Sequence, residues 1–261
     1  MRSLLVRGPT PLNGSVRVSG AKNSALKIMA ASLLIKGKVV IEGVPEITDV
    51  ALMAEVLTRL GAKVAVEKGR LTIDASGELG DETPYELVGR MRASIQVLGP
   101  LLARLGRARV AMPGGDAIGS RPIDIHLQGL EKMGAKFTSQ HGNIEGIAER
   151  LRGTRLLLEF PSVGATENIL MGAVTAEGVT AVENAAREPE IQDLANFLNA
   201  CGAKIQGAGT PSITITGVDS LQPVVHGIIP DRIEAGTFAI GAAATRGEVT
   251  LEDVVPLHLE L

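Results

Sequence analysis

Leu57-Thr58-Arg59-Leu60-Gly61-Ala62-Lys63-Val64, Leu130-Glu131-Lys132-Met133-Gly134-Ala135-Lys136-Phe137 and Leu198-Asn199-Ala200-Cys201-Gly202-Ala203-Lys204-Ile205 carry one pattern three times. In each, a helical run ends in Gly-Ala-Lys and passes into an apolar or alternating strand. The glycine stands where a helix C-terminus takes a left-handed residue. The three glycines are 73 and 68 residues apart, so a repeating unit organises the chain.

Working outward, each unit opens with a helix of small and aliphatic residues: Ala21–Leu34, Arg92–Leu105 and Ala165–Ala176. A short Val/Ile-rich strand follows, over Lys38–Glu42, Ala108–Met112 and Val179–Val182. Then come a Gly/Pro-rich turn, a second helix, the Gly-Ala-Lys stop and a hairpin such as Lys63–Val66 with Arg70–Ala75. The unit reads helix, strand, helix, strand, strand. Its first helices are apolar nearly all round, as in helices enclosed by neighbours. The expected fold is therefore α/β, with helices inside and sheets outside. A fourth unit starts with the helix Ala235–Ala244, the strand Glu248–Leu251 and a turn from Val254. Residues 21–229 are expected to form a complete three-repeat domain, with 1–20 and 230–261 as fragments of a second domain whose remainder lies beyond 261. Those fragments are expected to expose strand edges and the apolar helix face from Phe238 to Ala244.

Composition narrows the function classes. The 261 residues carry 26 Lys+Arg against 29 Asp+Glu, with four Phe, one Tyr and no Trp. A net charge of -3 and so few aromatics argue against a nucleic-acid partner. One cysteine cannot close an internal disulfide, and Met1–Gly8 lacks the apolar stretch of a signal peptide, so a cytoplasmic protein is expected. The longest apolar candidate, Ser24–Ile35, is interrupted by Lys27 and stops at Lys36, short of a membrane span. With 31 Gly and 13 Pro, tight turns should be frequent. The four histidines are scattered, and no His/Cys/Asp/Glu spacing reads as a metal site.

Several segments bear chemistry. Lys22 opens the first inner helix after Ser19-Gly20, where a cation beside unpaired helix N–H groups suits a phosphate or carboxylate. The same spacing also fits a solvated first-turn lysine. Pro161-Ser162-Val163-Gly164 precedes the third inner helix, where a hydroxyl and backbone donors suit a diphosphate or simply cap the helix. Asp116 lies among glycines as either an acid or a turn residue. Glu188 and Glu190 read as a solvated acidic loop. Cys201, at a helix end, reads as a small buried thiol.

Taken together, Gly14-Ser15-Val16-Arg17-Val18-Ser19-Gly20-Ala21-Lys22-Asn23-Ser24-Ala25-Leu26, Met91-Arg92-Ala93-Ser94, Pro113-Gly114-Gly115-Asp116-Ala117-Ile118-Gly119-Ser120-Arg121-Pro122-Ile123-Asp124, Pro161-Ser162-Val163-Gly164-Ala165-Thr166-Glu167-Asn168 and Pro230-Asp231-Arg232-Ile233-Glu234-Ala235-Gly236-Thr237 resemble the UDP-N-acetylglucosamine 1-carboxyvinyltransferases. The resemblance covers the whole chain. The Lys-bearing segment Gly20–Ser24 differs in type from that of the relatives that make an enolpyruvyl shikimate phosphate.

The resemblance implies an inside-out α/β barrel of βαβαββ units, two such domains, and a site in the cleft between them. The implied reaction moves enolpyruvyl from phosphoenolpyruvate to the 3-hydroxyl of UDP-N-acetylglucosamine, releasing phosphate, at the first committed step of peptidoglycan synthesis. Cell-wall biogenesis, cell shape and cell division would depend on it. No cofactor or metal is implied. By the same resemblance, Lys22 and Asn23 contact phosphoenolpyruvate and sugar, while Ser162, Val163 and Gly164 bind UDP with Arg92 and the run Arg121-Pro122-Ile123-Asp124-Ile125. Asp116 stands where most members have the catalytic Cys that fosfomycin alkylates, which implies fosfomycin resistance. The base and further arginines would come from beyond residue 261, so the 261 residues alone are expected to be inactive. Alternatives are a UDP-sugar-binding fragment, or half of a split enzyme completed by a C-terminal partner.

Overall fold

The computed structural model describes residues 3–5, 7–8, 10–83, 85–88, 91–112, 123–140 and 142–260. Each Gly-Ala-Lys segment ends its helix as the pattern requires. Gly61, Gly134 and Gly202 have φ of 99°, 103° and 102°. The next residue closes the motif: Ala62, Ala135 and Ala203 donate to the carbonyls of Leu57, Leu130 and Leu198, each at 3.0 Å. This six-to-one bond satisfies a helix-end carbonyl and turns the chain into the following strand.

After strand β1 (Asn13–Arg17), the first unit comprises α1 (Lys22–Ala31), β2 (Lys38–Glu42), α2 (Thr48–Arg59), β3 (Lys63–Glu67) and β4 (Arg70–Asp74). A short helix α3 (Tyr85–Val88) leads to the second unit. There a 3-10 turn (Arg92–Val97) runs into α4 (Leu98–Leu105), followed by β5 (Arg107–Ala111), α5 (Asp124–Lys132), β6 (Lys136–Gln140) and β7 (Asn143–Ile147). The third unit contains β8 (Arg155–Leu157), α6 (Val163–Ala173), β9 (Val179–Glu183), α7 (Pro189–Ala200), β10 (Lys204–Gln206) and β11 (Ser212–Thr216). The chain closes with β12 (Val225–Gly227), α8 (Arg232–Thr245), β13 (Glu248–Glu252) and a 3-10 turn (Pro256–Leu259).

Every unit makes its own sheet in one spatial order. The first is β12-β2-β4-β3 and the third β8-β9-β11-β10, while the second is β5-β7-β6 with a parallel bridge from Glu82 to Arg109 beside β5. Neither β8 nor β12 is legible in the sequence. Both are three residues long and pair parallel, β8 with β9 and β12 with β2. The first unit thus takes its outer strand from a point about 185 residues downstream. Pairing at that range leaves no local hydrophobic pattern.

Two of the inner helices are enclosed as expected, whereas the second, expected over Arg92–Leu105, is a 3-10 turn followed by α4, whose last turn is half-buried. In α1 every residue from Ser24 to Ala31 is buried, and in α6 every residue from Ala165 to Ala173. The sheets present alternating strands, such as Arg70–Asp74, whose Leu71 and Ile73 are buried beneath exposed or half-exposed neighbours.

Beyond these sheets, β1 and β13 pair in parallel, from Asn13 opposite Glu248 to Arg17 opposite Glu252. They form a two-stranded sheet against α8. Only Ala235 of α8 is buried, and Ile240 is 71% exposed. Two chain segments cross between this pair and the three-unit body, joined by an antiparallel bridge between Gly20 and Pro230. Ala21 donates to the Ile229 carbonyl and Asp231 to the Ser19 carbonyl, each at 2.8 Å. Gly20 is packed against the Gly43 carbonyl and the Ile228 side chain, leaving no room for a Cβ.

Candidate functional site

Several of the segments singled out in the sequence lie, among the described residues, at helix starts. Lys22 and Asn23 open α1, Arg92 opens the 3-10 turn before α4, Asp124 opens α5, and Ser162-Val163-Gly164 opens α6. Asp116, Arg121 and Pro122 lie outside the described residues. Nothing is described of the Arg92 side chain.

At α1, the Lys22 ammonium lies 3.3 Å from Asp49 Oδ2, with both side chains partly solvated. The Lys22 backbone N–H donates to Asp231 Oδ2 at 3.1 Å, while Asp231 Oδ1 accepts from Ile233 and Glu234 and caps α8. One carboxylate therefore ties two helix starts across the crossing. Ser19 adds a hydroxyl bond to Glu234.

At α6, Ser162 is an N-cap: its Oγ accepts from Ala165 N–H at 3.3 Å, and its carbonyl takes Thr166 N–H at 2.9 Å. The helix begins two residues earlier than its apolar run because of this cap. At the start of α5, the preceding residue Ile123 is buried, Asp124 exposed and Ile125 half-buried. The first-turn carboxylate of Asp124 complements the positive end of the helix.

A buried polar network connects these starts. Gln96 Nε2, at the end of the 3-10 turn, donates to the Gly164 carbonyl at 3.1 Å and to Glu167 Oε2 at 3.2 Å. Lys27 of α1 lies 3.6 Å from the same Glu167 oxygen. Asn168 Oδ1 accepts from Gly99 N–H at 2.6 Å, and its Nδ2 donates to the Ile95 carbonyl at 2.9 Å and meets His126 Nδ1 at 3.1 Å. Since Asn168 Nδ2 is the donor, His126 Nδ1 accepts and its proton sits on Nε2. These contacts join the first two turns of α1, α5 and α6 to the 3-10 turn and α4.

Glu167 is fully buried. Burial pushes its carboxyl up to about 7, against the pull of Lys27, with Glu190 and Glu188 adding to the rise. Its Oε1 has no hydrogen-bond partner among the described residues.

The α7 start corrects the reading of Glu188 and Glu190 as a solvated loop. Glu190 is 3% exposed, and Arg232 Nε donates to its two oxygens at 3.1 and 3.3 Å. Glu188 is half-buried, with Oε2 enclosed. The partner that draws Glu190 inward comes from α8, 42 residues later, so local polarity could not show it. Asp193, one turn into α7, is also buried and gathers the Ser24 hydroxyl, His226 Nε2 at 2.9 Å and the Ile229 N–H at 3.4 Å. Cys201 is buried as expected, and desolvation pushes its thiol up to about 12.

Sequence reasoning did not single out Gln96, Glu167, Asn168 and Asp193. A signal was present for part of the network: Lys27 and Glu167 are opposite charges within the buried stretches of two mainly apolar helices. Among the described residues no group of His, Cys, Asp and Glu could hold a metal ion, and no helix is long and apolar enough to cross a membrane.

Three outward sheets around enclosed helices, with polar helix starts knitted together beside a two-strand crossing, define the fold class of the enolpyruvyl transferases. Solved members share it. NikO of Streptomyces tendae, an enolpyruvyl transferase, superimposes with a TM-score of 0.79 over 88% of this chain and 55% of its own, at 28% identity. An EPSP synthase from Acinetobacter baumannii gives 0.73 over 95% and 57%, at 23% identity. The chain belongs to the EPSP synthase (3-phosphoshikimate 1-carboxyvinyltransferase) family, whose model matches residues 6–260.

Among curated relatives, the UDP-N-acetylglucosamine 1-carboxyvinyltransferase 2 of Carboxydothermus hydrogenoformans is 58% identical over 259 residues, covering 99% of this chain and 62% of its own. The UDP-N-acetylglucosamine 1-carboxyvinyltransferase of Desulfatibacillum aliphaticivorans is 54% identical over 260 residues, again 62% of its length. The chain thus spans about 62% of the length of these relatives.

Proposed function

We propose that this chain provides the nucleotide-sugar side of a site that moves the enolpyruvyl group of phosphoenolpyruvate to the 3-hydroxyl of UDP-N-acetylglucosamine. The reading rests on the 58% identity, over nearly the whole chain, with a relative bearing that activity's name. In the proposed reaction, C3 of phosphoenolpyruvate gains a proton while the sugar hydroxyl loses one and its oxygen bonds to C2. C3 then loses a proton as the C2–O bond to phosphate breaks, restoring the vinyl group and releasing inorganic phosphate. Residues 1–20 and 230–261 are proposed to belong to a second domain facing residues 21–229. The site is proposed to serve cell-wall synthesis in the cytoplasm.

Lys22 and Asn23 are proposed to meet phosphoenolpyruvate and sugar. Arg92, Arg121, Pro122, Ile123, Asp124, Ile125, Ser162, Val163 and Gly164 are proposed to hold UDP. The helix starts at α5 and α6 suit that anion, because first-turn amides and the helix dipole favour negative charge. Calorimetric titration of the 261-residue chain checks the substrate class. UDP-N-acetylglucosamine is expected to bind and shikimate 3-phosphate not to, and the reverse preference would overturn the reading. With about 62% of the relatives' length present, the same chain is expected to release no phosphate from the two substrates together.

Asp116 is proposed as the acid for C3. A free aspartate, which titrates at about 3.9, is almost wholly ionised at neutral pH, so a donor role requires its carboxyl to be raised by burial or substrate charge. In a protein with the relatives' full length, activity is expected to fall at lower pH than in Asp116→Cys, and only the Asp116→Cys variant should be inactivated by fosfomycin. Coincident pH-rate profiles, or equal inactivation, would remove Asp116 from the role.

A further inference from the structure

The structure assigns to Gln96 the role of a positioning residue for nucleotide diphosphate binding at the α6 start, a role that rests on the proposed UDP site. The Gln96 amide faces two acceptors, the Gly164 carbonyl at 3.1 Å and Glu167 Oε2 at 3.2 Å. Its orientation is therefore fixed, because the flipped amide would set oxygen against oxygen. The side chain is 3% exposed, so water does not compete for the bond.

Gly164 is the element held. A Cβ there would lie 3.1 Å from His126 Cε1 and 3.2 Å from Gln96 Nε2, which shows how closely the first turn rests on these two side chains. Ala165 N–H and Thr166 N–H are occupied by Ser162, leaving the amides of Val163 and Gly164 to point along the helix axis toward an anion. Fixing the Gly164 carbonyl fixes the first turn that carries those amides.

Gln96 also spans two candidate elements, since its 3-10 turn begins at Arg92. Through Glu167 it reaches Lys27 and hence α1, which carries Lys22 and Asn23. Among the described residues, the charged and titratable groups facing this point are Lys27 from α1, Glu167 from α6, Glu188 just before α7, Glu190 in it, and His126 from α5.

UDP itself is the probe, titrated into the 261-residue chain at pH 6 and pH 8 with melting followed in parallel. Gln96→Met retains much of the volume but lacks the donor, and is expected to weaken UDP about tenfold at both pH values, the equivalent of one good hydrogen bond. Gln96→Glu places a second carboxyl beside Glu167. At low pH both carboxyls hold a proton, and the introduced one can then donate to Gly164, whereas at high pH both carry charge and repel its carbonyl. UDP affinity of Gln96→Glu is therefore expected near the original at pH 6 and at least tenfold weaker at pH 8, a pH dependence that a purely structural role would not produce.

Unchanged affinity in a cooperatively melting Gln96→Met protein overturns the assignment. If that variant does not fold, Gln96→Glu decides, and affinity no more pH-dependent than the original's overturns it equally. Failure of the unaltered chain to bind UDP would instead strike the proposed function, and this inference with it.

Discussion

Gly99→Ala is expected to lower stability by about 3 kcal/mol and the melting temperature by about 10 °C. Intrinsic helix propensity predicts the opposite sign, a gain of about 1 kcal/mol for alanine over glycine. Packing decides against it. Gly99 is the second residue of α4, is buried, and lies directly on α6. An added Cβ would fall 2.5 Å from Asn168 Oδ1 and closer still to the Asn168 carbonyl oxygen.

Backbone cannot retreat as a flexible side chain can, so the two helices must separate or Asn168 must leave its place. Either movement breaks the bonds of Asn168 to Gly99, Ile95 and His126. Those bonds position the α6 start, so the proposed UDP binding should weaken together with stability. Gly77, where an added methyl would meet nothing within 4 Å and φ is not left-handed, is the control. Gly77→Ala should be neutral or slightly stabilising. Thermal melts of the two variants check the pair, and a Gly99→Ala protein as stable as the original would show that α4 and α6 do not approach this closely.

Between pH 4.5 and about 7, Glu167 is expected to make the fold progressively less stable as pH rises. The folded carboxyl holds its proton up to about 7, whereas the unfolded one loses it near 4.5. In that window the native state binds more protons, so raising pH favours unfolding. The contribution is fully present below 4.5 and lost above about 7, a difference of about 3 kcal/mol from a rise of that size. Burial is the main cause, and the Lys27 ion pair only partly offsets it. Glu167→Gln has no titrating proton and should show a flatter pH profile, approaching or exceeding the original in stability at pH 8. Urea unfolding of both proteins from pH 5 to pH 8 measures the difference. Parallel profiles would mean that Glu167 is ionised throughout, held by Lys27.

The repeat was legible because its signals are local. A glycine at each helix end, a small-residue helix and a hairpin recur at nearly constant spacing, and the structure realises each Gly-Ala stop with the same 3.0 Å bond. The motifs around Lys22, Arg92 and Ser162 were legible for the same reason, since each is a short run at a helix start. The outer strands Arg155–Leu157 and Val225–Gly227 were not. Their stabilisation comes from parallel partners in the sheets, and three residues carry no period.

Glu190 shows the same limit in a side chain. Its acidic neighbourhood reads as solvated, yet Arg232 draws it inward from another helix. By itself, then, the sequence determined the unit, its inward helices and the short polar runs that open them. Only tertiary structure decided which distant strand completes the first sheet, and that Gln96, Glu167 and Asn168 join the helix starts. Helix caps and hydrophobic periods are written in neighbouring residues, whereas a buried hydrogen bond exists only once folding has removed water from both of its partners.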